Sequence, residues 1–303
     1  MPPRKKSATV KPTKKVAERV SSRARSTGST LAKAKPAKKR AKTVKSRVRS
    51  TPSARVKAKP TSKGAQPSLE DQVETVLASL KRLAEKRVLE DMSKRYGIYT
   101  SKAFGVSMSN IQKVAKPLGR NHELAAALWE TGWYEARMLT SFVDDPALVT
   151  SAQMDQWARD FDNWGICDTL CFNLFDRTPH AWRKVGQWCK QEEEFVKRTG
   201  FALLWSLTVH DKAASDDQFI QGLVFILRGA SDERHFVKKA VNMALRAIGK
   251  RNTVLNAAAV AIARRLVEST NASARWVGKD ALRELTSSGV TRRVAARPRT
   301  TED

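Results

Sequence analysis

From Ser68 to about residue 290, apolar residues recur at three- and four-residue intervals, and the two-residue alternation of a half-buried strand is absent. The stretch behind Thr150 is the plainest case. Thr150-Ser151-Ala152-Gln153 has the form of a capping box, with Gln153 three residues after the cap. Met154, Trp157, Ala158 and Phe161 then fall at i, i+3, i+4 and i+7, one apolar stripe along a helix. The same spacing predicts helices over 163–175, 180–191, 195–209, 216–228, 235–249, 254–268 and 273–286, and about ten to twelve in the whole chain. Pro117, Pro146 and Pro179 are the only prolines in 68–290, and each stands where a helix could begin or end. The expected fold class is all-α.

A longer period runs beneath the helical one. Phe195-Val196-Lys197-Arg198, Phe236-Val237-Lys238-Lys239 and Trp276-Val277-Gly278-Lys279 each open a predicted helix, and their starts are 41 and 40 residues apart. A repeat of about 40 residues is that of helix-pair solenoids of the HEAT type. Three amphipathic helices that merely look alike are the alternative. In a stacked solenoid, Lys197, Arg198, Lys238, Lys239 and Lys279 would stand at matching places, and regularly spaced cations on a curved face suit a duplex backbone.

Composition changes the picture at the ends. Residues 1–67 hold 22 Lys and Arg against one acidic residue, Glu18, a net charge of +21 out of +27 for the chain. Residues 68–290 hold 31 basic and 27 acidic residues, a net of +4. The first segment has no aromatic residue, one leucine and seven of the eleven prolines. It has too little apolar surface to offset its ordering entropy, so a disordered tail is expected at 1–67. Runs such as Arg4-Lys5-Lys6 and Lys38-Lys39-Arg40 suit phosphate neutralisation without sequence reading. A nuclear or nucleoid address or a solubility tail is the plainer reading. The expected organisation is this tail, a helical-repeat domain at 68–290, and a short basic C-terminal tail at 291–303 carrying Arg292, Arg293, Arg297 and Arg299, also expected to be disordered.

Several function classes fall away. No apolar run approaches the ~18 residues of a membrane span, and no secretory signal is expected. Cys167, Cys171 and Cys189 are odd in number and lie in apolar helical stretches, which suits reduced core thiols of an intracellular protein. They form no zinc set with a histidine, so no metal is expected. His122, His180, His210 and His235 are scattered and suit helix ends or the surface, and Trp182 to Trp188 reads as packing between repeats.

The most informative stretch is Asp160-Phe161-Asp162-Asn163-Trp164-Gly165-Ile166-Cys167-Asp168. On its helix Cys167, Leu170, Cys171 and Leu174 form the buried stripe. Trp164 and Asp168 share a face at the border of that stripe, one turn apart. An aromatic plate beside a carboxylate suits a sugar that gains positive charge as a glycosidic bond breaks. The bland alternative is a capping or salt-bridged Asp beside a packing Trp.

Longer stretches narrow the choice. Lys102-Ala103-Phe104-Gly105-Val106, Glu135-Ala136-Arg137 with Asp144-Asp145-Pro146, Asp162-Asn163-Trp164 through Asp168, Glu194-Phe195-Val196-Lys197-Arg198, Phe236 through Asn242, and Ile248-Gly249-Lys250-Arg251-Asn252 occur in that order. Together, over about 75–290, they make the chain resemble the AlkD-type family of alkylpurine DNA glycosylases. The resemblance implies a solenoid of HEAT-like repeats that cradles duplex DNA. It implies monofunctional hydrolysis of the N-glycosidic bond of N3- and N7-alkylated purines, without metal or organic cofactor. Carried over by motif, Asp168 would stabilise an oxocarbenium-like sugar and position water, while Trp164 packs on the sugar. Lys197 and Arg198 would grip the backbone, with Lys238, Lys239, Arg246, Lys250 and Arg251 as further DNA contacts. Tyr96 falls near a cleft tyrosine of the family, on a poor local match. One departure stands out: the family's second cleft aromatic falls at Met243. An adaptable thioether lacks the electron-rich face that attracts a cation, which favours a rival reading as a non-catalytic DNA-binding solenoid. A protein-binding scaffold is the third reading. The expected partner is alkylated duplex DNA, and the expected state is an intracellular, DNA-associated monomer away from any membrane.

Overall fold

The computed structural model describes residues 67–296; the basic segment read at 1–67, save its last residue, and residues 297–303 lie outside the described residues. Among the described residues fourteen α-helices follow one another without a strand. They are α1 (Leu69–Arg82), α2 (Lys86–Lys94), α3 (Met108–Ala115), α4 (His122–Glu130), α5 (Tyr134–Val143), α6 (Ser151–Arg159) and α7 (Trp164–Asn173) in the first half. The second half holds α8 (Ala181–Trp188), α9 (Glu194–His210), α10 (Asp216–Gly229), α11 (His235–Ile248), α12 (Thr253–Val267), α13 (Ala272–Leu285) and α14 (Ser288–Ala295). The seven helices predicted from spacing after Asn163 all form, with ends within three residues of those expected.

Helices α3, α5, α7, α9, α11 and α13 each pack on the next and make one layer. Helices α8, α10 and α12 follow one another in a second layer, each backing the helix after it. This is a HEAT-like solenoid, and its core is a continuous apolar seam between the layers. Close approach is set by small residues: a Cβ at Gly278 on α13 would meet Ala263 O and Val267 N of α12 at 2.7 Å.

Polar side chains join neighbouring repeats across the seam. The buried Trp129 indole stacks on Trp157 at 4.3 Å and donates to Asp160 Oδ2 at 2.8 Å. Trp188 donates to Asp155, which also takes the buried Lys184 ammonium at 2.5 Å. Trp182 donates to Asp211 and meets Phe219 edge-on, so the Trp182–Trp188 stretch packs between repeats. An indole N–H in a core needs an acceptor, and here each finds a carboxylate about thirty residues away.

The resemblance motifs near the N-terminal end are braces. The fully buried Glu135 carboxylate accepts the backbone N–H groups of Phe104, Gly105 and Val106 at 3.0, 2.7 and 3.1 Å. Gly105 has a φ of 82°, and a side chain there would strike Leu89 and the Glu85 carbonyl. Asp144, also buried, is held by His122 and Gln153, and His210 holds Asp176 in the same manner. All four histidines stand at helix ends, His180 as the N-cap of α8 and His235 as the first residue of α11.

Two expectations need revision. Order continues past 290 into the segment read as a C-terminal tail. There α14 buries Val290 and Val294, four residues apart, and carries Arg292 and Arg293; Arg297 and Arg299 lie outside the described residues. The three-copy echo also loses its register at the third copy. Phe195 and Phe236 are the second residues of α9 and α11, whereas Trp276 is the fifth residue of α13. The reason is a cap: Asn271 accepts the Ala274 N–H at 2.9 Å and starts α13 a turn earlier.

Candidate active site

The site begins with the cap of α7. Asn163 accepts the Ile166 N–H at 3.1 Å and donates its amide to Asp162 at 2.7 Å. That fixes the helix start, so Trp164 is its first residue and Asp168 lies one turn further on the same face. Cys167, Leu170, Cys171 and Leu174 are fully buried beside them, and Trp164 and Asp168 are half-buried at the border. The three cysteines are buried free thiols.

Asp168 is held by Arg198 of α9. Arg198 Nη2 donates to both carboxylate oxygens, at 2.8 and 3.0 Å, and Nε donates to Oδ1 at 3.1 Å. Its third arm, Nη1, donates to the Phe236 carbonyl of α11 at 2.7 Å. The guanidinium also lies 5.9 Å from the Trp164 ring centre. Arg198 is 4% exposed while the Asp168 side chain keeps 17%, so the acid is the member of the pair with an open edge. Burial pushes the Asp168 carboxyl up from its ordinary value, and the Arg198 charge and hydrogen bonds oppose that rise.

The open edge meets a cavity of about 370 Å³ between α2, α3, α5 and α7, lined among others by Met92, Ile98, Val106, Met138, Tyr134 and Trp164. The Tyr134 hydroxyl lies 2.8 Å from where a Cβ on residue 165 would stand, so Gly165 lets the phenol reach α7. Burial, then the charges of Glu135 and Asp162, push the Tyr134 phenol up, so it stays protonated. Trp164 Nε1 donates to the Tyr96 carbonyl at 2.9 Å, and the Tyr96 ring meets the indole edge-on at 6.4 Å. The tyrosine with the poorest sequence support thus stands beside the site.

The expected row of cations is arranged differently from the sequence reading. Lys197 pairs with Asp232 at 3.2 Å, and Arg198 is turned inward to Asp168. Arg246 pairs with Glu284 and with Asp280, the latter at 3.5 Å, and Lys250 pairs with Glu284 at 2.8 Å. Arg251 donates to the carbonyls of Thr208, Asp211 and Ala214 and lies 4.2 Å from the Phe219 ring centre, which places it inside the α9–α10 turn. Lys238 and Lys239 lie 5.7 and 4.8 Å from the Trp276 ring centre. Met243 is half-buried one turn beyond Lys239 on α11. The acids that take these cations lie 34 to 38 residues away in sequence in all but one instance, Lys197 with Asp232 at 35 included, and helical periodicity gave no sign of them. The exception is the Arg198–Asp168 pair, 30 residues apart.

Among the described residues no group of His, Cys, Asp and Glu is placed to hold a metal ion, and no helix is long and apolar enough to cross a membrane. No curated protein matches the chain. A solved structure described as a new family of proteins related to the HEAT-like repeat DNA glycosylases with affinity for branched DNA structures is similar. It is 21% identical, with a TM-score of 0.59, and the match covers 70% of this chain and 94% of that one. The likeness in fold is matched by one in sequence, since the family model for DNA alkylation repair enzymes fits residues 76–285, from within α1 to the end of α13. The chain belongs to the DNA alkylation repair enzyme family, and its role lies in DNA repair.

Proposed function

We propose that the protein is a monofunctional DNA glycosylase that hydrolyses the N-glycosidic bond of N3- and N7-alkylated purines in duplex DNA. The observation that carries this reading is the Asp168 carboxylate, open to a cavity beside the Trp164 ring and fixed from behind by Arg198. An alkylated purine of this kind already bears positive charge, so it leaves as a neutral base without a general acid. The sugar takes up the charge as the bond breaks, and a fixed carboxylate stabilises it there. Water then adds at the anomeric carbon, its proton passes to solvent, and an abasic site remains. Trp164, whose indole N–H is anchored to Tyr96, gives the deoxyribose a rigid apolar wall. Among the described residues the partner of the Asp168 carboxylate is a guanidinium and not an amine, and no lyase step is assigned. Lys238 and Lys239 are the proposed backbone contacts, with Lys197, Arg246 and Lys250 contributing as phosphates compete with their carboxylates. The protein acts as a monomer in this reading.

A second reading keeps the DNA and drops the chemistry. Met243 favours it, because the cleft position that the resemblance gives to an aromatic ring is taken by a thioether. The similar structure's affinity for branched DNA supplies a ligand to compare. One experiment separates the two. Free 7-methylguanine is measured after incubation with methylated duplex, and binding to intact and branched DNA is measured at two salt concentrations. Base release above the protein-free rate supports the glycosylase. Salt-dependent binding without release supports the second reading and refutes the first.

A further inference from the structure

Trp276 is the exception among the aromatic residues near the starts of α9, α11 and α13. Phe195 and Phe236 are half-buried and lie 5.5 Å apart, ring to ring. Trp276 is 37% exposed. More than a third of its surface is open to a ligand, while the rest packs on the protein. Its neighbours are Lys238 and Lys239, whose ammonium groups converge on the ring. Among the described residues no carboxylate pairs with either lysine within ion-pair distance, whereas Lys197, Arg246 and Lys250 all have one. Asp280, one turn beyond Trp276, is engaged by Arg246 and Arg283. Lys279 adds a further exposed cation three residues after Trp276. The local potential is positive enough to act on His235, whose pKa is lowered by burial and then by Lys239 and Lys238.

A part-open aromatic plate with two ammonium groups over it fits a ligand that offers a π-face and anions together. A nucleotide does so, and in a DNA-binding protein the available base is one outside a duplex, since paired bases keep their faces stacked. We propose that Trp276, Lys238 and Lys239 form a DNA contact separate from Asp168 that takes an unpaired base. The base stacks on the indole, and its flanking phosphates meet the two lysines. This rests on the reading that the chain binds DNA.

The test compares a blunt duplex with the same duplex carrying a single-stranded oligothymidine tail, using fluorescence anisotropy and the full chain. Stacking of one base is lost in Trp276→Leu, so the tailed duplex is expected to bind about five- to a hundredfold more weakly. The blunt duplex should change less than about twofold, and Trp276→Phe should keep most of the tail's contribution. A 2-aminopurine placed in the tail should be quenched by the unsubstituted chain and not by Trp276→Leu. Equal weakening of both DNAs would mean that Trp276 only orders the lysines, and it would overturn the stacking site while leaving DNA binding in place. Unchanged affinities would overturn it too. Failure of the unsubstituted chain to bind either DNA would sink the DNA-binding reading itself.

Discussion

Replacing Asp168 by Asn removes one charge and almost no volume, so it isolates the electrostatic part of the proposed chemistry. The carboxylate is gripped by Arg198 at 2.8 to 3.1 Å, and a charge forming on a sugar feels both partners. A unit positive charge ~4 Å from the carboxylate is favoured by about 4 kcal/mol at an effective dielectric near 20, and a guanidinium ~6 Å from that charge opposes it by about 3. The remainder, a little over 1 kcal/mol, is roughly tenfold in rate. That is the lower bound, for a variant whose guanidinium, freed of its partner, turns away from the sugar. If the guanidinium does not turn away, its repulsion is common to both proteins and the whole ~4 kcal/mol of the carboxylate is lost, about a thousandfold. The bond from Arg198 to the Phe236 carbonyl resists such a turn. Single-turnover release of 7-methylguanine is the assay, with DNA affinity measured alongside. Asp168→Asn should slow release by about tenfold to a thousandfold and leave affinity within about threefold. Release within about twofold of the unsubstituted rate, with the fold intact, would refute the role given to this carboxylate.

Removing the other partner tests the same pair through stability. Arg198→Met strands a mostly buried carboxylate and should cost about 3–5 kcal/mol in urea unfolding. The Arg198→Met, Asp168→Asn double variant should recover part of that loss; a double variant no more stable than Arg198→Met would count against the pairing. Glu135→Gln takes a charge from three backbone N–H donors and should cost about 2–4 kcal/mol, with faster hydrogen exchange at 104–106; an unchanged unfolding midpoint would exclude the brace. Burial acts to raise the Asp232 carboxyl, but bonds from Arg234 and Lys197 win and hold it at about 2, below its ordinary 3.8. A folded pKa depressed in this way contributes stability that is present above about pH 4 and lost as the pH falls through about 2. Acid unfolding of Asp232→Asn should therefore be flatter across that window, and an unaltered slope would contradict the assignment.

Much of the fold was legible because it is local. The capping box at Thr150 and Gln153 forms as read, with Gln153 N donating to Thr150 at 3.1 Å. The stripes of α6 and α7 bury the residues that their spacing selects. What escaped was short or weakly marked. Helix α14 buries only two valines and has no side-chain cap bond, so its basic residues outweighed its stripe.

The site divides along the same line. Trp164 and Asp168 could be paired from sequence because one helical turn joins them, and the family likeness supplied Arg198. The state of the other cations depends on stacking, since each acid that neutralises one comes from the neighbouring repeat. A regular row of Lys and Arg in sequence therefore says how much positive charge a repeat carries, not how much it presents. In a duplex-binding groove that difference decides affinity: a cation already paired must give up its carboxylate before it gains a phosphate, whereas Lys238 and Lys239 face an indole and, among the described residues, no carboxylate within ion-pair distance. A π-face holds an ammonium group by about 0.5–1 kcal/mol when exposed, less than a phosphate contact returns at low salt. The lysines over Trp276 are thus cations of the expected row that the fold leaves ready for DNA.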